Sequence, residues 1–449
     1  MKQVTTRRTW DKRVSRFARW IGDRMAYGLP VHIISAVLWS GVSLAQAPPH
    51  GETLVAVTRT EIRSTALGQV REVYVWLPDA DAGPASRYPV LVMLDAQDQN
   101  NFRSLLANVR FLIDRKVIPP MMVIGVPFGA SREHDLTPVT KSGLPPQMQQ
   151  AGETAGGADA TGQFIVDELL PWADARYPTL PTRLIVGHSL GALVALYTAA
   201  MRPGVFRVVI AASPSLWWDG GATGADLAAR LAADSIHPRS IFVTSGDLEG
   251  GLDRAVTQFA TILTSLVLDS TASHFAFRRQ RYEQHDHSMT PLPTVIDGLR
   301  WAFAPMRVPA DSLFAELSNG PPKDTGQILT AYHSLESRFR AGAASLGVSD
   351  ATFPEYATNL LAYYCTVVKQ QQLANRLFQE NVRRYPKSSN AEESLAEGLL
   401  AVDDTAGAVR AFRRTLVLSK RDDDMNAILS RVLLRRLHQE DLQAGRSGR

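Results

Sequence analysis

Residues 184–192 read Leu184-Ile185-Val186-Gly187-His188-Ser189-Leu190-Gly191-Ala192. An apolar run ends in Gly-His-Ser-Leu-Gly, and a helical pattern of Ala192, Leu193, Leu196, Ala199 and Ala200 starts at once. Strand, sharp turn and helix in that order form the setting in which G-x-S-x-G presents a serine as a nucleophile. The glycines answer a steric demand. A serine at so tight a turn takes strained backbone, and a Cβ on either flank would collide with it. The helix that follows aims its free N–H groups at the serine and favours negative charge developing there. Ser189 is the candidate nucleophile, and the alternative is a plain strand-to-helix turn with an incidental serine.

Outward from this stretch, strands and helices alternate from about residue 52. Strand candidates are Leu54–Ser64, Arg71–Leu77, Pro89–Leu94, Met121–Val126, Leu184–Val186, Arg207–Ala211, Ile241–Ser245 and Phe275–Tyr282. The third to the seventh are short apolar runs, as expected of strands buried on both faces. Helical patterns fill the gaps at Phe102–Lys116, Phe164–Ala175, Leu190–Met201, Leu252–Leu268 and Thr294–Phe303. This alternation predicts an α/β domain with a mostly parallel sheet. Residues 140–162 are rich in Gly, Ala and Gln without periodicity and read as a flexible surface insertion, a candidate lid.

Composition changes at both ends. The first 28 residues carry Lys2, Arg7, Arg8, Lys12, Arg13, Arg16, Arg19 and Arg24; an apolar run from Leu29 to Leu44 and an Ala45-Gln46-Ala47 site follow. That is the layout of a secretory signal peptide over 1–47, with Met25 as an alternative start, and it predicts a periplasmic or secreted protein. Thr6-Arg7-Arg8-Thr9-Trp10 resembles a twin-arginine signal, but Asp11 and the long gap to the apolar run argue against it. Residues 1–47 hold eight Lys/Arg against two Asp/Glu, so the +4 of the 449-residue chain leaves −2 for the remainder. The body thus offers no electrostatic case for nucleic acid. The single cysteine, Cys365, excludes an intrachain disulfide and reads as a buried thiol. The α/β domain is expected to span 48–309. Residues 310–449 lack strand signals, and Ala374-x-x-x-Phe378 recurs 34 residues on as Ala408-x-x-x-Phe412. That period predicts a helical, tetratricopeptide-like domain, a candidate surface for a protein partner or a homodimer.

A serine hydroxyl needs a base to take its proton, and the base needs an orienting carboxylate. On such a sheet the chain order is serine, acid, histidine. Ile241-Phe242-Val243-Thr244-Ser245-Gly246-Asp247-Leu248-Glu249-Gly250 runs a strand into a turn with two carboxylates, and His285-Asp286-His287-Ser288 follows the last strand. Asp253 opens a helix and reads as a cap or a solvated charge. Residues two apart on extended chain share a face, so His285 and His287 could hold a metal, but no third ligand is evident nearby in the sequence. An oxyanion needs two backbone donors. Leu190 N–H is one, and the turn after the third strand, at Ala96, supplies the other. Trp217 and Trp218 follow the sixth strand on the side where such sheets bind ligands. They are candidates to wall an acyl or aromatic pocket, with core packing the alternative.

Residues 52–305 resemble the esterase family of α/β-hydrolases that includes enterobactin-type siderophore esterases, S-formylglutathione hydrolase and the mycolyltransferases. The resemblance is carried by Tyr88-Pro89-Val90-Leu91-Val92-Met93-Leu94-Asp95, Gly187–Gly191, Ser213-Pro214-Ser215-Leu216-Trp217-Trp218, and Asp286-His287 followed by Pro291-Leu292-Pro293 and Gly298-Leu299. Arg132 with Asp135-Leu136-Thr137-Pro138 also matches the loop after the fourth strand. The resemblance implies an α/β-hydrolase fold and a triad of Ser189, Glu249 and His287. It favours Glu249 over Asp247 and His287 over His285. Where the family commonly has glycine, this chain has Ala96. The implied function is an exported serine hydrolase that cleaves a small-molecule carboxylic ester through an acyl-enzyme, without a cofactor. An acyltransferase using the same residues, or a binding protein with an inert hydrolase domain, are the alternatives.

Overall fold

Strands written as unbroken apolar runs are buried from end to end. In the computed structural model, which describes residues 57–78, 87–234, 236–237, 239–268, 275–308, 317, 323–419 and 424–447, these are β3 (Tyr88–Leu94), β4 (Met122–Val126) and β6 (Val208–Ala212). They sit in an eight-stranded sheet with β1 (Thr58–Ser64), β2 (Gln69–Trp76), β5 (Thr179–His188), β7 (Arg239–Gly246) and β8 (Phe275–Tyr282), in the order β1-β2-β4-β3-β5-β6-β7-β8. β1, β2 and β4 pair antiparallel, and the remaining neighbours pair parallel. The order turns back between β4 and β5, on either side of β3. That leaves a crevice at the carboxyl ends of the strands, where ligands bind such sheets. The expected signal segment 1–47 lies outside the described residues.

β5 runs well beyond the expected Leu184–Val186. Pro181, Thr182 and Arg183 interrupt the apolar pattern, yet Arg183 is buried against Asp174 and the Leu180 carbonyl, so polarity there does not end the strand. The long helices of this unit are α1 (Gln99–Asp114), α2 (Leu190–Met201), α3 (Ala222–Ala233), α4 (Gly251–Leu268) and α5 (Pro291–Ala302). α2 is apolar nearly all round and buried along its length, as a helix enclosed by sheet and neighbours must be.

The chain falls into two units. One comprises Thr53–Arg307 with Arg340–Ala351, and the other takes in Val308–Phe339 and Thr352–Arg449. The α/β unit therefore includes a segment from far down the chain: Thr182 Oγ1 donates to Leu346 O (3.1 Å) and Gly347 O (2.6 Å), and Gly342 lies against the Pro305 backbone. The second unit is all-helical among its described residues. It contains α7 (Glu355–Val367), α8 (Gln371–Arg384), α9 (Ser389–Leu400), α10 (Thr405–Leu418) and α11 (Met425–Ser447), after the part of α6 (Thr325–Ser345) that precedes Arg340. Ala374 and Phe378 on α8, and Ala408 and Phe412 on α10, are all buried, so both members of the 34-residue recurrence are core residues. A buried amide chain ties three helices: Asn381 Nδ2 donates to Asn359 Oδ1 (2.7 Å), and Asn359 Nδ2 donates to Ser394 Oγ (3.1 Å). Cys365 is buried, and that burial pushes its thiol up to about 12, out of reach of ordinary thiolate chemistry.

Candidate active site

The turn between β5 and α2 places Ser189 at φ +58°, ψ −118°, in the strained region its motif implies. Its N–H donates to Ala212 O (3.0 Å), and its carbonyl accepts from Leu193 N (3.0 Å) and Ser215 N (3.2 Å). A Cβ on Gly187 would fall 2.3 Å from the Gly191 carbonyl, and one on Gly191 would fall 2.5 Å from Asp95 Oδ2. Glycine at both places is therefore a matter of contact distance.

Of the two carboxylates after β7, Glu249 meets the imidazole. His287 Nδ1 lies 2.7 Å from Glu249 Oε1, and the Glu249 side chain is 1% exposed. The other carboxylate oxygen, Oε2, accepts from Gly246 N (2.7 Å) and Ser213 Oγ (3.0 Å). Burial alone would raise this carboxyl. The hydrogen bonds from His287, Gly246 and Ser213 outweigh it and hold Glu249 below the usual carboxylate range. An ionised Glu249 fixes the proton of His287 on Nδ1 and leaves Nε2 bare as a base. Asp247 Oδ1 instead accepts from His285 N (3.3 Å), and His285 Nδ1 faces Glu283 O. The two histidines thus point to different partners.

Among the described residues, no hydrogen bond joins Ser189 Oγ to His287. The hydroxyl lies 3.3 Å from Ser215 Oγ. Leu190 opens α2, so its N–H has no acceptor within the helix. The expected second donor is placed otherwise: Ala96 N–H is directed at Val126 O (3.3 Å), continuing the β3–β4 ladder. The tryptophans divide. Trp218 is fully buried, with Nε1 donating to Pro138 O, and belongs to the core rather than to an open pocket wall. Trp217 is 39% exposed, two residues beyond Ser215. Leu248 and Met289, beside Glu249 and His287, are also exposed apolar residues of the same strand-end loops.

Several residues at this edge carry no motif of their own. Ser213, at φ +43°, bonds Thr290 Oγ1 (2.8 Å) as well as Glu249, linking the acid to the entry of α5. Asp95, at φ +59°, takes Arg132 Nε (2.8 Å) and Nη2 (2.7 Å), and Nη2 also reaches His188 O (3.3 Å). Asp219 Oδ1 accepts from Thr140 Oγ1, Lys141 N, Ser142 N and Ser142 Oγ. The insertion expected to be flexible is thereby fastened to the loop after β6, and Gly156 N and Ala158 N close it onto Thr137 O. Asp253 is neither a cap nor a lone charge: Arg279, Arg281 and Ser245 surround it.

The sheet order, the elbow after β5 and the Glu249–His287 pair at its crevice define an α/β-hydrolase. Over residues 64–294, just over half its length, the chain matches the family described as "Putative esterase". The chain belongs to that family and is a carboxylesterase-type hydrolase. It is 29% identical to the ferri-bacillibactin esterase BesA of Bacillus subtilis over 46% of this chain and 74% of that protein. It is 34% identical to the siderophore enterobactin esterase of Emericella nidulans, over 22% of this chain and 36% of that protein. Among solved structures, an IroE-like serine hydrolase from Shewanella oneidensis superposes with a TM-score of 0.56 at 24% identity, over 74% of this chain and 99% of that one, a likeness of fold.

Proposed function

We propose that this chain is an exported serine esterase that cleaves a siderophore-type carboxylic ester through an acyl-enzyme. The observation that carries the proposal is the 2.7 Å contact from His287 Nδ1 to a buried, ionised Glu249, beside a serine in an elbow. In this reading the Ser189 hydroxyl gives up its Ser215 contact for His287 Nε2 when substrate binds; such catalytic bonds often form only in the complex. His287 Nε2 takes the hydroxyl proton while Ser189 Oγ attacks the ester carbonyl. Leu190 N–H, with the helix end behind it, receives the oxyanion. Collapse breaks the C–O bond, and His287 returns its proton to the leaving alkoxide. Water, deprotonated by His287, then releases the acid and restores Ser189. Ala96 N–H serves as a second donor only if shared with Val126 O. Trp217, Leu248 and Met289 offer an apolar rim for the acyl side of the ester.

Siderophore esters are favoured because the named relatives act on them. Export rests on the basic start, apolar run and Ala45-Gln46-Ala47 site; N-terminal sequencing from the native host should find a start near Pro48, and an intact start on a cytosolic product would refute export. The helical unit is read as tetratricopeptide-like, a surface for a protein partner or a second copy. The decisive experiment is Ser189→Ala, expected to lower ester turnover by about 10⁴-fold or more with the fold retained, and to abolish labelling by a fluorophosphonate. Near-normal hydrolysis of p-nitrophenyl acetate by that variant would end the proposal.

A further inference from the structure

His188 is the one elbow residue to which the chemistry above gives no task, yet it is held on several sides. Its backbone is paired with Ala212 in the β5–β6 ladder, and its carbonyl accepts from Arg132, itself doubly bonded to Asp95. Its ring packs against that of His287 at a centroid distance of 4.4 Å and a tilt of 39°. Its Nε2 lies 2.9 Å from the His287 carbonyl oxygen. A carbonyl can only accept, so Nε2 carries the proton. Burial, reinforced by the neighbouring His287, lowers the His188 pKa to about 4. The ring therefore stays neutral, and adds no like charge, while His287 holds a proton during turnover.

We propose that His188 is a positioning residue: its Nε2–H ties the backbone of His287 to the end of β5, so that base and nucleophile are carried on one frame. Thr290 Oγ1 also reaches the His287 carbonyl, at 3.3 Å, but its further partner is Ser213, after β6, and not the strand that carries Ser189. Among the described residues, the tie from His188 is the hydrogen bond that crosses from the loop after β8 to the strand that presents Ser189. A loose tie would let the imidazole wander, and misplacement by about 1 Å costs on the order of 10²-fold.

The inference rests on the Ser189–His287–Glu249 reading, and its test separates the two. His188→Gln sets an amide N–H where Nε2 stands. His188→Asn falls one atom short, and His188→Phe keeps a ring without a donor. With p-nitrophenyl acetate, Gln should turn over within about threefold of wild type, while Asn and Phe should lose roughly 10- to 100-fold in kcat with KM little changed. Melting curves identify folded variants; if Phe does not fold, the Gln–Asn pair carries the comparison. Phe at the wild-type rate, or Gln as slow as Asn, would overturn the tie. Wild-type turnover by Ser189→Ala would sink the underlying reading instead.

Discussion

Replacing Glu249 by Gln changes one atom and should nearly silence the enzyme, for a reason the surrounding donors dictate. Oε2 accepts from Gly246 N–H, which can only donate, and from the Ser213 hydroxyl. The new amide must therefore turn its oxygen to Gly246 and its NH₂ to His287. An NH₂ opposite Nδ1 demands a lone pair there, which moves the imidazole proton to Nε2. The nitrogen that should receive the Ser189 proton is then already protonated. The same tautomer inversion in a serine-protease triad costs about 10⁴-fold in kcat, equivalent to ~5 kcal/mol of barrier. The substitution is isosteric and the donors remain paired, so the fold should melt near wild type. Turnover and burst kinetics with p-nitrophenyl butyrate provide the assay, with Asp247→Asn as the partner experiment. Asp247 faces His285 N rather than an imidazole and should lose no more than about threefold. Turnover by Glu249→Gln within tenfold of wild type would refute the argument, and a larger loss from Asp247→Asn would hand the role to Asp247.

Trp218→Ala should cost ~3–5 kcal/mol in urea unfolding because it empties a fully buried site, whereas Trp217→Ala should leave stability within about 0.5 kcal/mol and raise KM for aromatic acyl esters. The opposite pattern would exchange their assignments. Stability should fall on acidification through His188: unfolded, it binds a proton below about 6.5, but folded only near 4, so its contribution is complete above pH 6.5 and declines, by up to ~3 kcal/mol, as pH drops toward 4. Unfolding at pH 7 and pH 4.5 should show a smaller loss for His188→Gln than for wild type, and equal losses would remove His188 from the account. A chain ending at Pro309 lacks the segment that receives the Thr182 hydroxyl, and should melt about 5 °C or more lower while folded molecules still hydrolyse small esters. Unchanged melting would show that residues 340–351 are dispensable.

What the sequence made legible follows from which interactions are local. The elbow is local: two glycines, a strand and a helix lie within nine residues, and each can be read from its neighbours. The burial of β3, β4 and β6 is nearly so, because an apolar run has few other places to go. The choice of Glu249 over Asp247 is different. Both stand in one short turn, and the choice depends on Ser213, 36 residues earlier, and on where β8 delivers His287. Resemblance favoured the carboxylate that His287 meets, and spacing alone could not choose. The rim of the site was less legible still. Trp217 and Trp218 are adjacent and chemically alike, and the 3-10 turn that sends one inward is held by Pro138 from another loop. Arg183 bounds the apolar run Leu184–Val186 in sequence, and the partner that lets it be buried, Asp174, precedes the strand. Asp253 looked solvated because Arg279 and Arg281 come from β8. Ala96 lies just past β3, but its N–H direction is set by Val126 of β4, 30 residues later.

The four donors gathered on one oxygen of Asp219 give the insertion after β4 a particular relation to acidity. Hydrogen bonds led by those of the Ser142 side chain and backbone, with that of the Thr140 hydroxyl, lower this carboxyl to about 2. Asp219 thus stays ionised, and keeps these four donors, through any mildly acidic medium. A fall in turnover between neutrality and pH 4 is then no sign that residues 140–142 have come loose from the loop after β6.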